Sequence, residues 1–282
     1  MPKTIGNPLS WTMNALGSAA GYATVVVAPA REHAPPVTRR LSMGDLRNAL
    51  RKGWADLAAM RSDVMFACML YPLMGAVLLG LAAQGNLTHL LFPVLSGFAL
   101  VGPVAALGLY ELSRRREAGM EVSWANLFDV LRSPRFPRIV MLALFNGVIF
   151  MAWLLIADAI HAATLGPERP ASLMALLTAA VTTPAGWAMT IIGTGLGFLL
   201  AVAVLAVSVV SFPLLLDRDV SLPVAVTTSV RVARENPMVI ATWGLIVAAG
   251  LVVGILPALL GLVVVLPLLG HATWHLYRAA VA

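Results

Sequence analysis

The feature that most constrains this fold is a set of apolar stretches, each 18 or more residues long. A helix of that length crosses a hydrocarbon core of about 30 Å. In lipid the backbone must satisfy its own hydrogen bonds, and uninterrupted apolar runs do so as α-helices, whereas barrel strands alternate in polarity. Only 11% of the 282 residues are charged, against about 25% in soluble domains. The sequence therefore predicts an all-α membrane protein.

Six stretches predict six transmembrane helices. They are Val64–Ala83, Leu87–Leu112, Ile139–Ile160, Met189–Phe212, Met238–Leu256 and Ala258–Tyr277. The segment Ala171–Met189, which contains Pro184 and Gly186, is interpreted as an interfacial lead-in to the fourth helix. Residues 41–282 are expected to form a single six-span domain, preceded by a flexible tail over residues 1–40. A cleaved signal peptide is the alternative for the apolar part of this tail.

The basic residues predict the orientation. Of the 19 Lys and Arg residues, all but Arg169 fall on one side of the predicted helices. Cytoplasmic loops carry the excess of Lys and Arg in membrane proteins, so the N-terminus and the C-terminus are both predicted to be cytoplasmic, in a bacterial inner membrane. The formal charge of +6 is thus explained by topology and by anionic lipid headgroups, and no nucleic acid is expected as a partner.

An internal repeat is suggested by three amphipathic segments, which begin at Ser42, Ser123 and Ser221 and each precede a pair of spans. The first opens with a capping-box pattern, and Leu46, Leu50, Trp54, Leu57 and Met60 are predicted to share one apolar face. The exits of the second and sixth spans align without gaps, residues 103–114 with residues 267–278.

The prediction is three helical hairpins, each preceded by a cytoplasmic amphipathic interfacial helix, with repeats at about residues 42–116, 121–219 and 221–280. The alternative is that any helix linking two spans has this pattern.

Several motifs resemble a bacterial family of integral membrane proteins. They are Gly53-Trp54-x-Asp56-Leu57, Gly102-Pro103 with Gly108–Arg115, Ser211–Asp219, Thr228–Arg231, Asn236-Pro237 and Pro267–Arg278. This pattern is similar to the family catalogued as domain of unknown function 2189, some members of which carry the label of a cytochrome c oxidase subunit. The resemblance runs from about Arg39 to Ala280 and implies a membrane location and a helical fold, but no catalytic residues.

The histidines exclude the catalytic subunit of a haem–copper oxidase. Such a subunit needs several histidine ligands within its helices, whereas only His271 and His275 of the five histidines here are expected away from the tail and the outer face. These two stand at i and i+4, which is metal-ligand spacing, but two ligands make a weak site. The favoured interpretation is an interfacial pair beside Trp274 and Tyr277. No metal and no cofactor is predicted.

The cytoplasmic exits of the even spans are the candidate functional surface. Its residues are Tyr110, Glu111, Asp217, Arg218, Asp219, His271, Trp274, His275 and Tyr277. They are predicted to face a common axis as a docking patch, or alternatively to anchor each helix at the interface. Glu111 is expected to form a local ion pair with Arg114 or Arg115. Within the spans, Asn146 and Asp158 are the candidate polar positions, with interhelical hydrogen bonds the favoured role for Asn146.

The leading functional hypothesis is a non-enzymatic structural, regulatory or assembly partner of membrane components, because no nucleotide-binding loop, nucleophile elbow or zinc-protease signature is present. Membrane lipids and other membrane proteins are the expected partners. The alternative is a small-solute transporter or channel with a path lined by Asn146 and Asp158. The third hypothesis is an accessory factor for a respiratory oxidase, or a lipid-acting enzyme that uses Asp217, Asp219 and His275.

Overall fold

The computed structural model describes residues 36–59, 68–84 and 87–282. In these ranges the regular secondary structure is helical, and the extended pairing is the isolated bridge between Thr38 and Val281. Most of the predicted tail and the start of the first predicted span, residues 64–67, lie outside the described residues. The prediction of an all-helical protein is confirmed for the described part of the chain.

The described residues form α-helices and two 3₁₀-helices. The α-helices are α1 (Met43–Ala58), α2 (Leu70–Gln84), α3 (Leu91–Ala105), α4 (Leu107–Glu117), α5 (Phe136–Thr164), α6 (Leu173–Thr182), α7 (Pro184–Ser208), α8 (Ser211–Asp217), α9 (Leu222–Glu235), α10 (Pro237–Ile255) and α11 (Leu262–Ala280). Two 3₁₀-helices cover Thr88–Leu90 and Trp124–Arg132.

Three helical segments in the described residues are long and apolar enough to cross a membrane: Phe136–Thr164, Pro184–Asp217 and Pro237–Ile255. They contain most of the third, fourth and fifth predicted spans. Their outward faces are apolar and exposed: Val148, Ile191 and Leu245 are each 66–69% exposed. Exposed apolar area on this scale is a liability in water but suits lipid.

The other three predicted spans differ from single apolar helices. The described part of the first is the 15-residue helix α2, and the second is divided at Ala106 between α3 and α4. Pro103 lies inside α3, where its ring displaces a carbonyl and its missing N–H removes a helical hydrogen bond. The sixth corresponds to α11, whose C-terminal half carries buried polar side chains such as His271 and Thr273.

The first amphipathic segment begins as predicted but packs differently. Ser42 and Asp45 form the capping box, with Ser42 N donating to Asp45 Oδ2 at 2.8 Å and Asp45 N donating to Ser42 Oγ at 3.2 Å. Helix α1 then packs against α11. Leu46 and Leu57 of the predicted apolar face are buried, whereas Trp54 is 58% exposed, so the buried face of α1 is shifted toward Gly53 and Asp56.

For the second and third amphipathic segments, the interfacial arrangement stays a prediction. The second is a 3₁₀-helix that leaves Trp124, Phe128 and Leu131 exposed. The third, α9, buries Ala225, Thr228, Ser229 and Val232. The three segments therefore do not share one packing mode, because tertiary contacts decide which face each helix buries.

The connection between the last two predicted spans is tight. Gly254 on α10 and Gly261 before α11 approach so closely that a Cβ at Gly261 would lie 2.8 Å from Gly254 Cα. Ala258 and Leu259 take positive φ values of 51° and 69° in the turn, a region that non-glycine residues rarely adopt. The glycine pair lets α10 and α11 pack side by side.

Residues 36–40, assigned to the tail from sequence, pair with the C-terminal end of α11. Arg39 N donates to Ala280 O at 2.8 Å, and Ala282 N donates to Val37 O at 2.9 Å. Asn236 Oδ1 accepts from Leu41 N at 2.6 Å. These bonds hold the entry to α1 against both α9 and α11.

Candidate functional site

A buried network of hydrogen bonds joins α1, α4 and α11. Asp56 Oδ2 accepts from Ser113 Oγ at 2.6 Å and from His275 Nε2 at 2.8 Å. Asp56 Oδ1 lies 3.2 Å from Nη1 of Arg116, which also donates to Ala55 O at 2.6 Å. Ser113 Oγ lies 2.7 Å from Nδ1 of His271. We call Asp56, Ser113, Arg116, His271 and His275 the Asp56 network.

Close helix packing places Asp56 in this position. Gly53 lies one turn before Asp56, and a Cβ at Gly53 would lie only 2.7 Å from Ala272 N on α11. Ala272 stands between His271 and His275 in the sequence. The missing side chain at Gly53 therefore lets α1 approach the backbone of α11, and the approach brings Asp56 within reach of both histidines.

The hydrogen bonds assign the protons of the network. An ionised Asp56 has no proton, so Ser113 and His275 must donate to it. Because Ser113 gives its hydroxyl proton to Asp56, its oxygen is left to accept from His271, which places the proton of His271 on Nδ1. Ser113 is thus a bridging group, not a nucleophile activated by His271.

The environment of Asp56 favours its ionised form. Burial acts to raise the pKa of the Asp56 carboxyl, but the hydrogen bonds from His275 and Ser113 and the two nearby imidazoles outweigh it, so the pKa lies below its usual value. The network therefore holds a carboxylate between a guanidinium, a hydroxyl and two imidazoles.

A small cavity of about 230 Å³ adjoins this network near the C-terminal end of α4. It is lined by Asp56, Ala59, Leu112, Ser113, Arg116, Met120, Val122 and His271. Within the described residues, the Nε2 atom of His271 is buried without a hydrogen-bond partner, whereas the side chain of Arg116 is 42% exposed. The cavity thus combines a buried acceptor with a partly exposed cation.

A second polar cluster joins the ends of α4, α8 and α11. Arg278 lies 3.2 Å from Glu117 Oε2 and 3.4 Å from Asp217 Oδ2. Trp274 Nε1 donates to Glu117 Oε2 at 3.0 Å, and Tyr277 OH donates to Asp217 Oδ2 at 2.7 Å. The structure therefore brings the predicted residues Asp217, Trp274 and Tyr277 together, with Arg278 as the bridge.

The other predicted residues of this surface have internal partners. Glu111 is 4% exposed and forms the expected ion pairs, 2.6 Å to Arg114 Nη2 and 3.1 Å to Arg115 Nε. Asp219 pairs with Arg138. Arg218 Nη2 donates to Ala282 O at 2.5 Å. Tyr110 is buried and hydrogen bonds to Thr273. The predicted surface residues are therefore bonded mainly within the protein, whereas the Arg278 side chain of the second cluster is more exposed.

The two predicted intramembrane residues lie apart from these clusters. Asn146 is fully buried and donates to Ser208 Oγ at 3.0 Å, which joins α5 to α7 as an interhelical hydrogen bond. Asp158, at the far end of α5, lies 2.7 Å from His89 Nε2 and has a side chain that is 60% exposed. His89 and His161 are buried and stack with ring centroids 4.6 Å apart, although the sequence suggested solvated rings.

A second, larger cavity of about 390 Å³ lies among the helices, next to the Asp56 network along α4 and α11. Its walls come from α3, α4, α7, α10 and α11, with Tyr71 added from α2. The lining is apolar apart from Trp243 and the hydroxyls of Tyr71, Tyr110 and Thr273. Phe198 and Leu245, which line it, are also 63% and 69% exposed on the outer surface of α7 and α10. The cavity is therefore reached from the apolar exterior.

Metal-ligating side chains are not grouped in the described residues: no set of three or more His, Cys, Asp or Glu is placed to hold an ion. His275 bonds to Asp56 directly and His271 is linked to it through Ser113, so the two histidines do not face a common centre. The absence of a bound transition metal stays a prediction.

Comparison with known proteins gives one match. Residues 91–217 match the family described as predicted integral membrane protein (DUF2189). The resemblance inferred from sequence motifs is thereby confirmed over α3 to α8, and the DUF2189 segment contains two of the three long apolar helices. The resemblance of the flanking motifs stays a prediction. No curated protein and no solved structure matches the chain.

Sequence reasoning missed Asp56, Ser113 and Arg116 as partners of the two histidines. The sequence does indicate that Asp56 is buried, because it follows Leu46, Ala49 and Gly53 at helical spacing and so lies on the face that α1 buries. A carboxylate on a buried helical face requires partners. Which helix would supply them depends on the Gly53–Ala272 contact, and that contact is tertiary.

Proposed function

We propose that this integral membrane protein binds a membrane lipid without chemical conversion, as a structural or regulatory component of the bilayer. The observation that carries this proposal is the large apolar cavity, whose lining residues Phe198 and Leu245 are also exposed on the apolar exterior. Ligand sites are commonly concave, mostly apolar and about 300–1,000 Å³ in volume. The acyl chain of a phospholipid, which surrounds the protein in the bilayer, is the occupant that fits such walls.

The hydroxyl groups at the cavity support an apolar occupant. Tyr71 OH donates to Ala105 O at 3.0 Å, and Thr273 Oγ1 donates to Leu269 O at 2.7 Å. Tyr110 bonds to Thr273. A polar solute would lose its hydration at these walls and gain few hydrogen bonds in return. The transporter hypothesis is weaker for the same reason, since neither Asn146 nor Asp158 lines the cavity.

The proposal includes the membrane arrangement: six spans in three hairpins, in a bacterial inner membrane with both termini cytoplasmic. The hydrogen bonds that join the ends of α4, α8 and α11 support it, because three exits on the same side can meet. The distribution of Lys and Arg, with Arg169 the exception, supports the same orientation. In this arrangement the large cavity lies in the cytoplasmic half of the bilayer.

Reporter fusions test the arrangement. Fusions after Gly85, Gly166 and Pro257 are expected to report the periplasm, and fusions after Glu117, Arg218 and Ala282 the cytoplasm. A periplasmic reporter after Ala282 would contradict six spans from a cytoplasmic N-terminus, since it requires an odd number of crossings.

Filling the cavity tests lipid binding. Gly102 lines the cavity, and a Cβ built there meets no atom within 4 Å. The substitution Gly102→Leu is expected to lower the phospholipid that copurifies with the chain by about fivefold or more, because the added side chain occupies volume that the acyl chain would fill, and a loss of about 1 kcal/mol of binding free energy corresponds to that factor. Lipid mass spectrometry after purification in mild detergent measures the amount of lipid per chain.

Gly193→Leu is the matched control. A Cβ at Gly193 also meets no atom within 4 Å, but Gly193 does not line the cavity. This variant is expected to retain as much lipid as the unsubstituted protein. Equal retention by Gly102→Leu and Gly193→Leu would rule out the cavity as the lipid site.

A further inference from the structure

The small cavity beside the Asp56 network has a hydrogen-bond acceptor facing no protein donor. His271 is 1% exposed, lines this cavity, and its Nε2 atom has no partner in the described residues. The bond from Nδ1 to Ser113 fixes the proton on Nδ1, so Nε2 carries a lone pair. A buried acceptor without a donor costs about 1–3 kcal/mol. A ligand that supplies an O–H group would remove this cost.

The second feature of the cavity is its cation. Nη1 of Arg116 donates to Ala55 O and pairs with Asp56 Oδ1. A guanidinium has five N–H donors in all. The Arg116 side chain is 42% exposed, so some of its N–H groups are available at the rim of the cavity. Asp56 is already bonded to Arg116, Ser113 and His275, so it does not offer a free acceptor to a cationic ligand. The cavity therefore favours an anion, and phosphate matches the guanidinium fork.

We propose that this cavity binds a glycerol phosphate group, with its phosphate at Arg116 and a glycerol hydroxyl donating to His271 Nε2. The chemistry occurs in two sources: the headgroup of an anionic phospholipid such as phosphatidylglycerol, and free glycerol phosphate in the cytoplasm. The cavity of about 230 Å³ suits a headgroup of this size. The positions of Asp56, Ser113 and His275 fix the tautomer of His271 and so make the site selective for a hydroxyl.

The relation to the large cavity favours the lipid as the source. Leu109 and Gly270 line the large cavity, whereas Ser113 and His271 line the small one. The two cavities are thus about one turn apart along α4 and adjacent along α11. In this respect the inference rests on the proposed lipid-binding function, because one phospholipid would place its acyl chain in the first cavity and its headgroup in the second.

The test compares two lipids that differ in the hydroxyl groups alone. Full-length protein in mild detergent is incubated with phosphatidylglycerol or with phosphatidylpropanol of the same acyl chains, and bound lipid is counted by native mass spectrometry. Both lipids carry one phosphodiester charge, but only the first carries glycerol hydroxyls. We expect about a fivefold to tenfold preference for phosphatidylglycerol, the value of one hydrogen bond to an otherwise unsatisfied buried group.

Variants assign the preference to residues. In His271→Asn the amide is placed to keep the bond to Ser113 but lacks the Nε2 acceptor, so the preference is expected to fall to about one. In Arg116→Gln both lipids are expected to bind about tenfold more weakly, since a charge-assisted hydrogen bond is lost. Arg132→Gln, which removes a charge that is 87% exposed and outside the cavity, is the control and should leave binding unchanged.

Equal binding of both lipids to the unsubstituted protein would overturn the proposal and leave water as the partner of His271. Free sn-glycerol 3-phosphate separates the two sources. If it binds in a manner sensitive to His271→Asn while no phospholipid is retained, the headgroup chemistry stands and the proposed lipid-binding function fails. If phospholipid is retained in a manner sensitive to Gly102→Leu without headgroup preference, the function stands and this inference fails.

Discussion

Replacing Gly53 by alanine is expected to weaken the attachment of α1 to α11, although alanine is the better helix former. A Cβ at this position would lie 2.7 Å from Ala272 N and 2.8 Å from Ala272 Cα, both backbone atoms that cannot turn aside. Overpacking of this kind costs about 1–3 kcal/mol. Alanine in place of glycine in a helix gains up to about 1 kcal/mol, so the net effect is a loss of stability and a separation of Asp56 from His275.

Gly44→Ala on the same helix is the control for Gly53→Ala. A Cβ at Gly44 meets only Ser42 Oγ, at 3.3 Å. The apparent Tm in mild detergent is therefore expected to stay or rise in Gly44→Ala and to fall by about 5 °C in Gly53→Ala. If both substitutions changed the Tm in the same direction by the same amount, helix propensity would account for them and the close α1–α11 contact would not.

Hydropathy predicted correctly the helices that are apolar over most of their length. The helices α5, α7 and α10 each contain a long apolar window, so length and hydropathy alone define them. The division of the second predicted span at Ala106 and the polar interior of α11 were not predicted. In both cases an apolar run continues into a segment that packs against protein, and hydropathy does not distinguish a lipid-facing helix from one buried among other helices.

The candidate site was predicted only in part, because its contacts join distant parts of the chain. The pattern His271-x-x-x-His275 predicted that both rings share a face, and both rings do bond to the Asp56 network. Their partners come from α1 and α4, more than a hundred residues earlier in the chain. No local pattern encodes such a contact. The buried position of Asp56 on α1 was readable from helical spacing, whereas its pairing with α11 required the structure.

Asp56→Asn is expected to destabilise the protein by about 2–3 kcal/mol. The carboxylate accepts from Ser113, His275 and Arg116, and an amide at this position presents N–H groups to at least one of these donors. Breaking a fully buried ion pair costs about 3–5 kcal/mol, and the cost here is smaller because Arg116 is 42% exposed and can turn to water. The control is Glu121→Gln, an exposed acidic residue outside the network, for which no change in Tm is expected.

The effect of Asp56→Asn is also expected to depend on pH. Burial raises the pKa of Asp56, but the hydrogen bonds from His275 and Ser113 more than offset this effect, so the pKa in the folded protein is lowered. A carboxyl with a lowered folded pKa stabilises the fold above its unfolded pKa, about 3.9, and loses this contribution as the pH falls through the folded value. The difference in Tm between the unsubstituted protein and Asp56→Asn should therefore be largest above about pH 5 and shrink below about pH 4. His275→Gln is measured alongside, because His275 donates to the same carboxylate. A difference that stayed constant down to pH 3 would show that the network does not stabilise the ionised carboxylate of Asp56.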